Sequence, residues 1–240
     1  MPRAWRSRRG APSRRVEFHT NLVPTSLLTW CLVLMALLPH RAAWPADFGV
    51  KVTDTRMRAQ ENAVAVLYPV DRKGPLKPPP KGRIVQRDRE FLPFVTVVQV
   101  GTRVAFPNND NLLHHVYSFS RAKTFEIKLY LGEAPSEVLF DTAGVVALGC
   151  NIHDWMEAYV LVVDSPYFAR SDVHGWARFR DIPPGRYRLS LWHPHQDNEH
   201  VQVDVVLTNG QSASQQAVIS VKERPRKPKP AETESGYGKN

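Results

Sequence analysis

Cysteine is almost absent: the 240 residues hold two, Cys31 and Cys150. Cys31 lies in the N-terminal apolar run, so a mature chain without it keeps one thiol and no internal disulfide. A disulfide-stapled scaffold is thereby excluded. Methionine is nearly as scarce, four residues, with Met1 and Met35 in that same N-terminal stretch. A one-signed charge is missing from the middle of the chain. The formal net charge of +9 comes from the ends, with seven Arg against one acid in 1–46 and six basic against three acidic residues in 222–240, which leaves nineteen of each sign in 47–221. A nucleic-acid-binding face needs clustered basic charge on the folded body, so nucleic acid is excluded as a partner. Helix signals are scarce beyond residue 47. No Ser-His-Asp order in motif context, phosphate-binding glycine loop or His-Glu-x-x-His pattern is present. What remains, at 42% hydrophobic and 23% charged residues, is the composition of a globular domain rather than a disordered or multi-span chain.

The N-terminus accounts for most of the charge. Arg3, Arg6, Arg8, Arg9, Arg14 and Arg15 precede an apolar run from Leu22 to Leu38, and Ala42, Ala43 and Ala46 follow. Positive region, apolar core and small residues in that order read as a secretory signal over 1–46 and an exported, periplasmic protein. Ser13-Arg14-Arg15 is weakly like a twin-arginine signal. The 17-residue run also reaches the lower limit for a membrane anchor. Membrane attachment is therefore expected only if this segment stays uncleaved.

From residue 47 onward, twelve short β-branched or aromatic runs between Phe48 and Val221 are separated by Pro, Gly, Asn and Asp. That spacing predicts an all-β fold of sandwich type. Lys73–Gly82 reads as a Pro-rich linker, and 222–240 as a disordered tail. Trp176–Phe179, the Pro183-Pro184-Gly185 turn and Arg186–Trp192 form a strand, turn and strand with period-2 alternation. They resemble the second half of the carboxypeptidase regulatory-like β-sandwich, and Val50–Asp54 with Asn62–Leu67 resemble its first half. The expected organisation is a split sandwich, 47–82 plus 166–221, with 83–165 as a domain inserted into it. Two sandwiches in tandem are the alternative.

The chemistry lies in Gly149-Cys150-Asn151-Ile152-His153-Asp154-Trp155-Met156. A thiolate, an imidazole and a thioether stand at Cys-x2-His-x2-Met in a loop between two strand patterns. Upstream, Phe106-Pro107-Asn108-Asn109-Asp110 leads into His114-His115-Val116, which supplies a second histidine. Two His and one Cys with an axial Met is the blue-copper set, whereas structural zinc rarely takes Met and iron–sulfur clusters need more thiolates. Strand alternation puts His114 on the face of Val116 and His115 on the opposite face. His114 is therefore the expected ligand, and His115 an outward surface residue.

At these residues the chain resembles the cupredoxins. Its ligand loop has the spacing of the amicyanin loop, and Gly101–Asp110 followed by His114-x-Val116 matches the family's glycine turn, strand and first histidine. From about residue 47 to 207 the chain is similar to exported cupredoxin-domain proteins often labelled methylamine-utilisation proteins, a label that says nothing here about methylamine metabolism. The resemblance implies a Greek-key cupredoxin sandwich and one type 1 copper ion held by His114, Cys150, His153 and Met156. It further implies single-electron transfer between redox protein partners, with His153 as the exit and no bond chemistry of its own. Two departures stand out: His115 replaces the Asn that usually follows the first ligand, and Ile152 replaces a common Pro. A copper-binding or copper-delivery protein without redox turnover, and a β-sandwich interaction module, are the alternatives.

Other residues are assigned less chemistry. Trp155 is either a core anchor or part of an apolar docking surface. Asn151 and the loop amides are candidates for hydrogen bonds to the Cys150 sulfur. His174, His193, His195 and His200 match no closed metal site and read as loop residues. Asp172 and Asp181 read as turn residues.

Overall fold

The computed structural model describes residues 44–71, 81–197, 201–222 and 227–229. Most of the signal segment, most of the Pro-rich linker, His200 and most of the tail lie outside the described residues. The described part belongs to one compact unit, Ala43–Asn240. In chain order the strands are β1 (Ala46–Asp54), β2 (Val64–Pro69), β3 (Gly82–Arg83), β4 (Val85–Arg87), β5 (Glu90–Leu92), β6 (Val95–Gln99), β7 (Thr102–Ala105), β8 (His114–Ser120) and β9 (Lys123–Tyr130). They continue as β10 (Val138–Phe140), β11 (Gly144–Gly149), β12 (Glu157–Val163), β13 (Phe168–Arg170), β14 (Trp176–Ile182), β15 (Gly185–Trp192), β16 (Val201–Leu207) and β17 (Ala213–Ile219). The fold is all-β, and among the described residues no helix is long and apolar enough to cross a membrane.

The strands sort into two packing groups. The sheet β14-β1-β17 and the sheet β13-β2-β15-β16 bury a shared core of Phe48, Val50, Val52, Leu67, Leu189, Leu191 and Ile219. Alternation builds it: Phe48, Val50 and Val52 on β1, and Tyr187, Leu189 and Leu191 on β15, point inward. Each such side chain contributes about 1.5–3 kcal/mol when fully buried. β1 and β2 thus pair with strands that come more than a hundred residues later, Ala46 with Ile182 and Val64 with Trp192 among them.

The intervening strands pair with one another. The sheet β6-β12-β11-β8-β9 and the small sheet β10-β7-β3 enclose a second core around Val104, Phe106, Val116, Phe140, Val146 and Val160. A third apolar cluster of Val64, Val66, Val95, Leu161, Val163 and Trp192 joins the two groups. The twelve expected runs fall on twelve of these strands. β3, β4, β5, β9 and β13 were not among them. β9 is the instructive omission: its sequence, Lys-Thr-Phe-Glu-Ile-Lys-Leu-Tyr, is half polar because it is the sheet's edge strand, with only Ile127 and Tyr130 buried.

Candidate metal centre

One end of the five-stranded sheet gathers the chemistry. β8 and β11 are antiparallel neighbours, with Gly149 opposite Tyr117, so the start of β8 lies beside the end of β11. His114 opens β8 and is fully buried; Cys150 follows β11 and is buried too. A Cβ at Gly149 would stand 2.8 Å from the Tyr117 ring, so a larger residue there would have to displace that ring. Beyond Cys150 the loop turns back on itself, the Met156 N–H donating to the His153 carbonyl at 2.9 Å. That turn leaves His153 half-buried at the rim and sends Met156 into the same core cluster as Cys150.

Three donor atoms converge. Ligand atoms of His114, Cys150 and His153 all lie within 4.8 Å of one another. His114 Nδ1 is 3.1 Å from His153 Nδ1, and Cys150 Sγ is 3.7 Å from His153 Nδ1. Burial pushes the Cys150 thiol up, but His114 and the backbone N–H groups of His115, Ile152 and His153 outweigh it and hold the thiol below its ordinary value. Of the groups expected near the sulfur, the Ile152 and His153 amides contribute to that lowering, while Asn151 is exposed. Burial alone would push His114 down, yet the Cys150 sulfur and the Asp110 carboxylate hold it above the usual imidazole value. His153 is lowered, first by burial and then by the nearby His114 and Arg89 charges. A stabilised thiolate, a ready imidazole lone pair on His153 and a second Nδ1 aimed at the same point make a donor set that suits a soft or borderline transition-metal ion. The residues present fit copper.

His115 departs from expectation. It lies on the face opposite His114, next to Tyr117 with ring centroids 5.7 Å apart, but it is only 8% exposed. Its Nε2 stands 3.1 Å from Glu126 Oε1 on β9, at an orientation that does not make a hydrogen bond. The unforeseen edge strand is what covers it. Trp155 is half-buried: its ring packs 5.0 Å from the His153 ring and its Nε1–H donates to the Arg89 carbonyl at 3.2 Å.

Asp110 carries a role the sequence reading did not assign. Its Oδ2 lies 2.7 Å from His114 Nε2, the ring nitrogen turned away from the convergence point. The signal that could have found it is an Asp four residues before a candidate ligand. The second histidine group behaves as structure: His193 is buried, its Nε2–H donating to the Glu61 carbonyl at 3.2 Å and its Nδ1 accepting from the His195 N–H at 3.1 Å. Asp172 accepts the N–H groups of His174 and Trp176, and Asp181 holds a left-handed turn position at φ 54°.

No family model matches the chain, and no curated protein does. Among solved structures it is similar to a copper-containing nitrite reductase from Thermus scotoductus SA-01, at 22% identity and TM-score 0.33 over 40% of this chain and 25% of that one. It is likewise similar to a reduced, Cu(I) form of an amicyanin variant, at 16% identity and TM-score 0.32 over 41% of this chain and 98% of that one. A purple cupredoxin from Nitrosopumilus maritimus matches at 22% identity and TM-score 0.29, over 35% of this chain and 100% of that one.

Proposed function

We propose that this chain is an exported electron-transfer protein with one type 1 copper ion, which His114, Cys150, His153 and Met156 would hold. The observation that carries the reading is the convergence of two imidazole Nδ1 atoms and one thiolate-prone sulfur at a buried sheet end. Bound there, copper supplies reversible one-electron chemistry. The protein's part is positional. Cys150 and His114 stand at the ends of hydrogen-bonded strands and Met156 is packed in the core, so little rearrangement accompanies a change of oxidation state. His153, the half-buried member, faces the rim and would be the route for an electron toward a protein partner. Exposed Leu112, Leu113 and Ile152 flank ligand residues in sequence and suit an apolar docking surface around that rim.

The reading includes two domains, a split sandwich of 47–82 with 166–221 and a copper-binding domain of 83–165 inserted into it. The pairing of β1 and β2 with strands beyond Tyr167 supports that division. It also includes removal of 1–46 on export to the periplasm. Copper titration followed by visible absorption and spin resonance tests the function. An intense thiolate-to-copper band that bleaches reversibly on reduction is expected. Copper binding without that band would favour metal delivery, and no binding would leave only an interaction module.

A further inference from the structure

We propose that Asp110 is a positioning residue for the metal centre, fixing the His114 imidazole with its proton on Nε2, and that the Asp88–Arg89 turn is the clamp that holds Asp110 in place. The consequence for metal binding and potential rests on the copper reading above; the tautomer assignment does not.

The turn joining β4 and β5 is two residues long, Asp88 and Arg89, at φ 55° and 56°. Both residues stand in the left-handed region that L side chains disfavour, in a turn where Asn-Gly is the common solution. Their backbone N–H groups converge on one acceptor. Asp88 N–H donates to Asp110 Oδ1 at 2.6 Å, and Arg89 N–H donates to Asp110 Oδ2 at 2.9 Å. The backbone of Asp110 is pinned as well, its N–H donating to Asn108 Oδ1 at 3.0 Å. Asn108 is itself buried and donates to the carbonyls of Leu112 and Tyr130, each at 2.8 Å. The carboxylate cannot swing away, and its Oδ2 meets His114 Nε2 at 2.7 Å.

An ionised carboxylate only accepts, so the proton of neutral His114 sits on Nε2 and the Nδ1 lone pair faces Cys150 and His153. Both oxygens of Asp110 already accept a backbone N–H, the arrangement of an ionised carboxylate that has only acceptors to offer. A fixed negative charge behind the ring makes Nδ1 a stronger donor and favours the more positive oxidised metal. The same turn reaches the other imidazole, because the Arg89 carbonyl accepts the Trp155 N–H at 3.2 Å and that indole packs on His153. One backbone-strained turn thus fixes a group in contact with each histidine.

Asp110→Asn keeps the side chain's shape, removes the charge and sets an NH2 group against a backbone donor; Asp110→Ala removes both acceptors. Nitrogen-15 spectra of the metal-free protein, at a pH well above the imidazole range, read the tautomer directly. The parent should show His114 in the Nε2–H form, and Asp110→Ala a mixture of the two forms. In the copper-loaded protein, Asp110→Asn should weaken Cu(II) binding by roughly tenfold or more and Cu(I) binding less. Each tenfold preferential loss of Cu(II) raises the potential by about 59 mV for a one-electron couple. Asp88→Gly, at an exposed side chain, keeps the amide and accepts the left-handed backbone, so tautomer and potential should stay as in the parent. If both Asp110 variants keep the parent tautomer and potential, whatever happens to their stability, Asp110 merely closes its loop and the proposal is overturned. Should the parent bind copper without a type 1 spectrum, the function proposed above fails, while the tautomer spectra still decide the role of Asp110.

Discussion

The two packing groups bury polar atoms for different purposes. In the outer sandwich, buried polar groups close turns and tie loops of the fold together. Ser171 Oγ donates to the Gln60 carbonyl at 2.7 Å and accepts the Ala63 N–H at 2.9 Å, and Asp54 Oδ1 accepts the N–H groups of Arg56 and Arg58 at 2.9 Å each. In the intervening group some also close turns, Thr102 Oγ1 donating to the Gln99 carbonyl at 2.7 Å, but others point toward one end of the sheet. Gln86, Asn108, His114 and His115 are all buried there, Gln86 hydrogen-bonded to Tyr130 and Asn108 bracing the loop that carries Asp110. Apolar packing suffices to hold a sandwich, and a buried polar group is a cost unless it is hydrogen-bonded. A polar network running toward three converging donors is therefore better explained by the site than by the fold.

The sharpest way to break this contrast is to remove the sulfur. Cys150→Ser should abolish the intense visible band of the copper-loaded protein while β-sheet circular dichroism persists, because the thiolate is the charge-transfer donor. A variant that keeps the band would show that Cys150 is not the ligand. The mirror experiment is Leu189→Ala in the outer core, where the side chain is fully buried. It should cost about 2–5 kcal/mol in denaturant unfolding and leave the absorption per bound copper unchanged. A shifted band there would mean that the two groups are not mechanically separate.

How much of this was legible follows the same contrast. Cys150, His153 and Met156 stand within seven consecutive residues, and strand alternation alone placed His114 inward. The outer strands alternate cleanly, so their inward residues could be read directly. The supports of the site could not. The Asp88–Arg89 turn lacks Gly and Asn, so its left-handed backbone leaves no composition signal. β9 is half polar, so neither it nor its cover over His115 was visible. Asp110 meets His114 only because amides more than twenty residues upstream hold its carboxylate. Ligands are set by residue type and spacing, whereas their supports are set by tertiary contacts between segments that carry no motif.

A pH experiment sharpens the outer half of the comparison. Burial first, then the neighbouring His195, lower His193 from the ordinary 6.5 to about 4. Protonating its Nδ1 would set two donors face to face, since that atom accepts the His195 N–H. The unfolded chain binds this proton at higher pH than the folded one, so stability is fully present above the unfolded value and falls as pH drops from about 6.5 towards 4. The loss should be on the order of 1–3 kcal/mol after solvent screening. Urea midpoints across that window, compared with those of His193→Gln, isolate the effect, since the glutamine amide can both donate and accept and does not titrate there. Equal pH slopes in the two proteins would show that His193 does not carry it.

The smallest expected effect tests the boundary between fold and site within two adjacent residues. His114→Ala removes a nitrogen donor and should disturb the copper spectrum strongly. His115→Ala removes a ring that packs on Tyr117 and stands 3.1 Å from Glu126, on the face turned away from the convergence point. Because that ring is buried, the loss should be about 1 kcal/mol, larger than the few tenths typical of an exposed change. The contact of His115 with the sulfur is made by its backbone N–H, which alanine retains, so the visible band should keep its position and intensity. Thermal unfolding and the absorption spectrum of the two variants, measured side by side, separate the roles. If His115→Ala bleaches the band and His114→Ala spares it, the faces of β8 are exchanged, as a one-residue slip in register would require. The site would then sit on the other face of the sheet, and the buried network through Asn108 and Asp110 would be bracing a residue that holds no metal.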